Sequence, residues 1–446
     1  DRPPAQRPAG GASSQRDARG LLDSIAAQLR TLPESAQLEL TPPVVVLDAR
    51  ASRDGEELQA ILRRRPGAPL EPANLIELRR GDVRFRGTVK PGDIVKYYGT
   101  FDRETAYRLQ ETGEADIVTF DSIDMTVAQV LDRALTDDPD HLALVSRTRR
   151  LTYAELDRAA NRAADALSGL GLRPGDRVAA SLGNEADVVV AFHGAMRLGA
   201  VWVGINRALA APEQRWMLAD CGASLLLSED GLDDAGVPVV GLEEWRAALD
   251  AADDGPVGVR IDPFAPAGIA YTSGTTGRPK GAVHSQHNLL VPGAVLVESR
   301  GWGPSLRKGD CFPFTILNLA VLTTLLVSQA GGTSVVMDRM DAEGVVEWIR
   351  SERITVWNGP PPLLHDLARR DDIDPADLAS LEEVWTGGAD CPEVVREAFR
   401  AKFGLEVVAT YGLSEAPTVV SIDAPGGAGH VPGASGRPLP HLSVRI

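Results

Sequence analysis

The run GIAYTSGTTGRPKGAVHSQHNLL, residues 268–290, gathers the groups that a polyphosphate needs. An apolar strand, GIAYT, leads into Ser273, Gly274, Thr275, Thr276 and Gly277, and then into Arg278, Pro279, Lys280 and Gly281. Glycines let the backbone turn and aim several N–H groups at one point, hydroxyls add donors, and a lysine supplies compact positive charge. The set is an anion cradle. It is not the GxxxxGK[ST] loop, because no Ser or Thr follows Lys280 to hold magnesium. The bland alternative is a polar surface turn. Three hydroxyls, three glycines and one of only five lysines in the chain, packed into nine positions, argue against it.

Other stretches are less telling alone. YGLSE, residues 411–415, reads by itself as a strand-to-helix turn with an N-cap serine. Gly387, Gly388 and Ala389 read as an ordinary strand-end turn. The seven histidines show neither HExxH nor clustering with cysteine, so zinc has no support. Cys221, Cys311 and Cys391 are odd in number and far apart, which argues against a disulfide framework and for a reducing, cytoplasmic setting. A formal charge of −16 makes a broad nucleic-acid surface an unsuitable reading.

The elements that must position the cradle follow from pattern. At 446 residues the chain exceeds the common domain size of roughly 150, so two or three subdomains are expected. Residues 1–20 lack large apolar side chains and read as a disordered leader. Residues 21–124 read as a small α+β extension of unassigned role: a helix LLDSIAAQLRTL, a buried run PVVVLDA, a second helix around GEELQAILRRR, and a hairpin turning at Lys90, Pro91, Gly92 and Asp93. Strand–helix alternation begins at Met125 and predicts a mainly parallel sheet covered by helices on both faces. Thr152 and Glu155 form a capping box, so a helix starts near Tyr153. RVAASLG and VWVGIN are predicted strands around the helix ADVVVAFHGAMRLGA, and EQRWMLADCGA with SLLLSE repeats the theme. FTILNLAVLTTLLV lies in an uncharged stretch from Cys311 to Met337. Its Asn, Thr, Ser, Gln and Gly-Gly interruptions predict a buried helix leading into the strand TSVVM, with no stable membrane insertion.

YTSGTTGRPKG resembles the signature of the adenylate-forming superfamily, which includes acyl- and aryl-CoA synthetases, peptide-synthetase adenylation domains and luciferases. LTYAELDRAANRAADAL, LRPGDRVAASLGN, GAMRLGAVWVGIN, WTGGADCPEVVREAFRAKFG, YGLSEA and GRPLPHLSVRI are similar to further family blocks. The resemblance covers residues 125–446 and implies an α/β fold: two doubly wound sheets packed with helices, and part of a third β subdomain. It also implies a two-step reaction. A carboxylate attacks the α-phosphate of MgATP to give an acyl-adenylate and pyrophosphate, and the thiol of CoA then displaces AMP. By the same resemblance Thr272, Ser273, Gly274, Thr275, Thr276, Gly277 and Lys280 hold the β- and γ-phosphates. Gly387, Gly388 and Ala389 line the adenine and acyl pockets, Tyr411 and Gly412 meet adenine, Ser414 donates to the α-phosphate, and Glu415 binds magnesium. Thr276, Lys280, Ser414 and Glu415 form the implied catalytic set.

The sequence departs from the family in places. Ser414 stands where Thr is commoner, and Asp390 where proline is common. The proline-aromatic-histidine block appears as Phe312-Pro313-Phe314-Thr315-Ile316, with no histidine in register, which implies a more apolar wall. His284 and His287 read as polar residues of a helix N-terminus, since an ionised acid needs no base. Amino-acid-activating relatives place an aspartate in the 311–337 region, and none occurs here, so a fatty, cyclic or aryl acid is expected. Lys402 reads as a solvated surface lysine. The ribose-binding aspartate and the C-terminal lid with its lysine would lie beyond Ile446, so the chain is expected to be a fragment. Two alternatives remain at this stage: an adenylation domain loading a carrier-protein pantetheine, and a lid-less nucleotide-binding or interaction module.

Overall fold

The computed structural model describes five strands within residues 44–98 and residues 126–442 apart from 273–277, 417, 424–433 and 440–441. The chain divides into two units, Asp1–Ile123 and Asp124–Ile446.

In the first unit β1 (Val44–Ala51), β2 (Leu58–Arg64) and β5 (Ile94–Tyr98) form an antiparallel sheet, and β3 (Leu75–Arg80) pairs with β4 (Val83–Thr88). Two expectations are corrected here. The helix sought around GEELQAILRRR is instead the strand β2, whose two edges are satisfied by β1 and β5, so pairing partners override local helix propensity. The hairpin sought at residues 90–93 is absent as well, because β4 pairs back to β3 while β5 pairs with β2. The leader at residues 1–20 and the LLDSIAAQLRTL helix lie outside the described residues.

The second unit holds two larger sheets. The first has the order β11-β10-β8-β9-β12-β13, built from β8 (Arg177–Ser181), β9 (Val201–Gly204), β10 (Leu225–Ser228), β11 (Val239–Gly241), β12 (Pro266–Thr272) and β13 (Lys280–Ser285). The second has the order β20-β19-β18-β17-β16-β14-β15-β6-β7. Its strands are β6 (Leu142–Val145), β7 (Arg150–Thr152), β14 (Arg307–Asp310), β15 (Thr333–Val336), β16 (Val356–Asn358), β17 (Glu383–Gly387), β18 (Val407–Tyr411), β19 (Ser421–Ile422) and β20 (Arg437–Pro438). Most pairings are parallel; β7 and β13 are antiparallel edge strands, and β19 and β20 extend the second sheet antiparallel beyond β18.

Both faces of these sheets are covered, as the strand–helix alternation predicts. On β8, Val178 and Ala180 enter one core while Ala179 enters another with Met217 and Leu218. The helix Tyr153–Gly169 begins as its capping box dictates, with Glu155 N donating to Thr152 Oγ1 at 3.2 Å and Thr152 N to Glu155 Oε2 at 2.8 Å. It crosses the fully buried, largely apolar helix Ala186–Leu198 closely, since a Cβ on Gly194 would lie 2.3 Å from that of Ala163. Asn184, just past β8, ties the two sheets together: its Nδ2 donates to the carbonyls of Phe312 and Met337 at 2.9 Å each, and its Oδ1 accepts from Phe314 N at 3.0 Å. The carboxyl ends of β8, β14 and β15 therefore converge, the place where open α/β sheets bind ligands.

The uncharged stretch after Cys311 is a buried helical run leading into β15, as expected. It starts at Leu317 and includes a π turn, Ala320–Leu325. No helix among the described residues is long and apolar enough to cross a membrane.

Candidate functional site

The cradle sits on the β12–β13 hairpin. Thr272 and Lys280 are its last register pair, Tyr271 opposing Gly281 behind them, so the two strands deliver both ends of the loop side by side. Ser273, Gly274, Thr275, Thr276 and Gly277 lie outside the described residues. Lys280 is exposed and Thr272 half-buried. The hairpin is anchored by Tyr271, which sequence reasoning passed over: its hydroxyl donates to Asp220 Oδ2 at 2.7 Å on the helix Ala211–Cys221, and its ring meets Trp216 edge-on. Burial and the neighbouring carboxylate raise the pKa of that phenol, so it stays a donor.

The other candidate residues lie at the ends of β17 and β18, which run parallel with Gly387 opposite Thr410. A Cβ on Gly387 would stand 2.2 Å from Thr410 Oγ1, so glycine is required there by contact. Gly388 and Ala389 follow, both exposed, with Gly388 at φ 78°. Tyr411 presents a ring that is 47% exposed, an unusual state for an aromatic at a sheet end and a suitable one for a stacking platform. Gly412 allows the chain to fold back: a Cβ there would lie 1.5 Å from the carbonyl oxygen of Thr418. Thr418 itself holds φ 77°, a costly left-handed conformation for a β-branched residue, at the close of this loop. Ser414 begins no helix, so the N-cap reading of YGLSE does not apply. Glu415 is exposed and makes no ion pair among the described residues.

His284 joins the two halves. It is not a polar helix-start residue, as the sequence suggested, but a 2%-exposed member of β13. Its Nε2 lies 2.6 Å from the carbonyl oxygen of Ser414, and Asn288 Nδ2 lies 3.0 Å from its Nδ1. With the amide donating to Nδ1, the proton sits on Nε2 and is donated to Ser414. Burial lowers the pKa of the ring against the opposing pull of the Ser414 carbonyl and Glu415, which keeps it neutral. His287 is likewise lowered by burial and leans on Phe264.

The Phe312–Ile316 block packs on the first sheet. The carbonyl of Thr315 accepts from Trp202 Nε1 at 3.3 Å, and a Cβ on Gly204 would lie 1.6 Å from that same oxygen. Lys402 departs from expectation: it is not merely solvated, because its ammonium caps the carbonyls of Leu367 and Arg370. Lys308 is wholly buried; its only signal in the sequence was scarcity, as one of five lysines.

Magnesium suits the donors present in one way. Among the described residues no three or more His, Cys, Asp or Glu are grouped as a metal cage. Glu415 is an exposed carboxylate next to Ser414, whose carbonyl meets His284 of β13, and magnesium commonly takes one or two carboxylates plus substrate phosphates.

Residues 131–446 match the sequence profile of the AMP-binding enzymes. Among curated proteins, a long-chain-fatty-acid–CoA ligase, FadD13 of Mycobacterium tuberculosis, is 32% identical over 60% of this chain and 55% of its own length. An indoleacetate–CoA ligase of Aromatoleum aromaticum is 32% identical over 72% of this chain and 66% of its own length. The chain thus spans little more than half to two thirds of these relatives. Among solved structures, the inhibitor-bound N-terminal domain of FACL13 from Mycobacterium tuberculosis superposes with a TM-score of 0.61 at 28% identity, covering 67% of this chain and 78% of that one. By this match, and by the two helix-packed sheets it shares with that domain, the chain belongs to the AMP-binding enzyme family.

Proposed function

We propose that this chain carries the nucleotide- and acid-binding part of an AMP-forming acid:CoA ligase. The observation that carries the reading is the His284–Ser414 contact at 2.6 Å, which fastens the phosphate-type hairpin to the YGLSE loop. The relatives' names support it, one for a long-chain fatty acid and one for indoleacetate. An uncharged, buried helical run beside β12 favours an apolar acyl group, fatty, cyclic or aryl.

In this reading Thr272, residues 273–277 and Lys280 hold the β- and γ-phosphates of ATP. Tyr411 stacks on adenine beside Gly387, Gly388, Ala389 and Gly412. Ser414 donates to the α-phosphate. A carboxylate oxygen of the acid attacks the α-phosphorus, the bond to the bridging oxygen breaks, and pyrophosphate leaves. The CoA thiol then attacks the acyl carbon and AMP leaves. Two anions must meet for the first step, so orientation and charge neutralisation account for most of the work. Magnesium, when bound at Glu415, supplies further neutralisation. The three free cysteines accord with a cytoplasmic, reducing setting.

The test is acid-dependent pyrophosphate release by the full-length native protein. Release that is lost in Lys280→Ala and in Glu415→Ala supports the reading. Tight ATP binding with no release for any acid would sink it.

A further inference from the structure

Lys308 and Asp310 stand two residues apart on β14, on the same face of the strand, and both are fully buried. Lys308 Nζ donates to Asp310 Oδ2 at 2.5 Å, and the Thr323 hydroxyl donates to the same oxygen at 2.5 Å. Nζ also reaches Thr323 Oγ1 at 3.4 Å and lies 5.4 Å from the centre of the Trp385 ring. The Ser334 hydroxyl holds the Thr323 carbonyl at 3.0 Å. Asp310 Oδ1 has no partner among the described residues.

Stability does not explain such a pair. Desolvating two charges can cost more than their attraction returns, and apolar replacements of both are often neutral or stabilising. What the pair holds is the π turn Ala320–Leu325, through Thr323. A π turn carries one extra residue, is rare, and occurs frequently at functional sites. If it relaxed to regular helix, one flank would rotate by about 100° relative to the other. That flank touches the candidate site's supports. Leu317 fills the space over Gly268 of β12, where a Cβ would lie 2.8 Å from it. The helix Gln286–Arg300, which follows β13, packs on the turn itself.

We propose that Lys308, Asp310 and Thr323 are positioning residues that fix the π turn and thereby set which acids the apolar wall admits, an inference that rests on the acid-activating reading above. The charges hold the hydroxyl, the hydroxyl holds the turn, and the turn sets the register of the wall against both sheets.

The test uses the full-length native protein with Thr323→Val, Thr323→Ser and the double variant Lys308→Met/Asp310→Leu. Melting, the KM for ATP, and kcat/KM across straight-chain, cyclic and aryl acids are measured. Thr323→Val is expected to fold, to keep the ATP KM within about twofold, and to change the ratio of kcat/KM between acids by about tenfold or more. Thr323→Ser keeps the wild-type ratios, and the double variant folds with altered ones. Folded Thr323→Val and double variants with wild-type acid ratios would overturn the proposal. Should the wild type release no pyrophosphate with any acid, the ligase reading fails separately. Hydrogen exchange at amides 320–325 then decides the positioning role: faster exchange in Thr323→Val supports it and unchanged exchange overturns it.

Discussion

His284 Nε2 and the carbonyl oxygen of Ser414, 130 residues apart in sequence, meet at 2.6 Å. The contact joins two segments that belong to different sheets, β13 and the chain after β18. Asn288 fixes the tautomer that allows it. Removing a buried partner commonly costs about 1–3 kcal/mol. His284→Leu is therefore expected to raise the KM for ATP by about tenfold or more while the acid preference stays put. Steady-state kinetics on the full-length protein check this, and an unchanged ATP KM would remove His284 from the site.

Tyr411 offers an exposed ring at the end of β18. Ring stacking contributes on the order of 1 kcal/mol, so Tyr411→Ala should weaken nucleotide binding by about fivefold and Tyr411→Phe hardly at all. Calorimetric titration with ATP measures both. Equal affinity for wild type and the alanine variant would place adenine elsewhere.

Gly204 lies under the Phe312–Ile316 block, with room for no side chain: a Cβ would stand 1.6 Å from the Thr315 carbonyl oxygen. Gly204→Ala must push that backbone away from Trp202 and break the bond it accepts. A loss of about 2–3 kcal/mol is expected, in line with overpacking of a tight core. Denaturant melting would read it, and a midpoint equal to wild type would show that the block is free to move.

His193 is buried on the helix Ala186–Leu198, and burial lowers its pKa from 6.5 to about 3. Between those values the unfolded chain binds the proton and the folded chain does not. Stability from this group is thus intact above pH 6.5 and declines as pH falls toward 3, by at most about 1.4 kcal/mol per pH unit. Its Nε2 has no partner among the described residues, so His193→Leu can fold, and its melting temperature should fall less steeply from pH 6.5 to 4.5. Parallel curves for the two proteins would refute the assignment.

The sequence alone determined much of the second unit. Capping at Thr152 and Glu155, the largely apolar helix Ala186–Leu198 and the strands at Arg177–Ser181 and Val201–Gly204 follow from local pattern, because hydroxyl caps and apolar periodicity act within a few residues. The Ser273–Lys280 run stands out in the sequence for the same reason, as a concentration of donors in one short run, and the structure pairs Thr272 with Lys280 at its ends. Tertiary structure decided the rest. Leu58–Arg64 became a strand only because two partners lay on either side of it. His284 reads as a helix-start residue until Ser414 arrives from another sheet. Lys308 looks like any lysine in sequence, and only the burial of β14 beside Asp310 and Thr323 reveals what it holds. A hydrogen bond or ion pair between distant residues leaves no periodic trace in the chain, since its energy depends on distance in space and on excluded water.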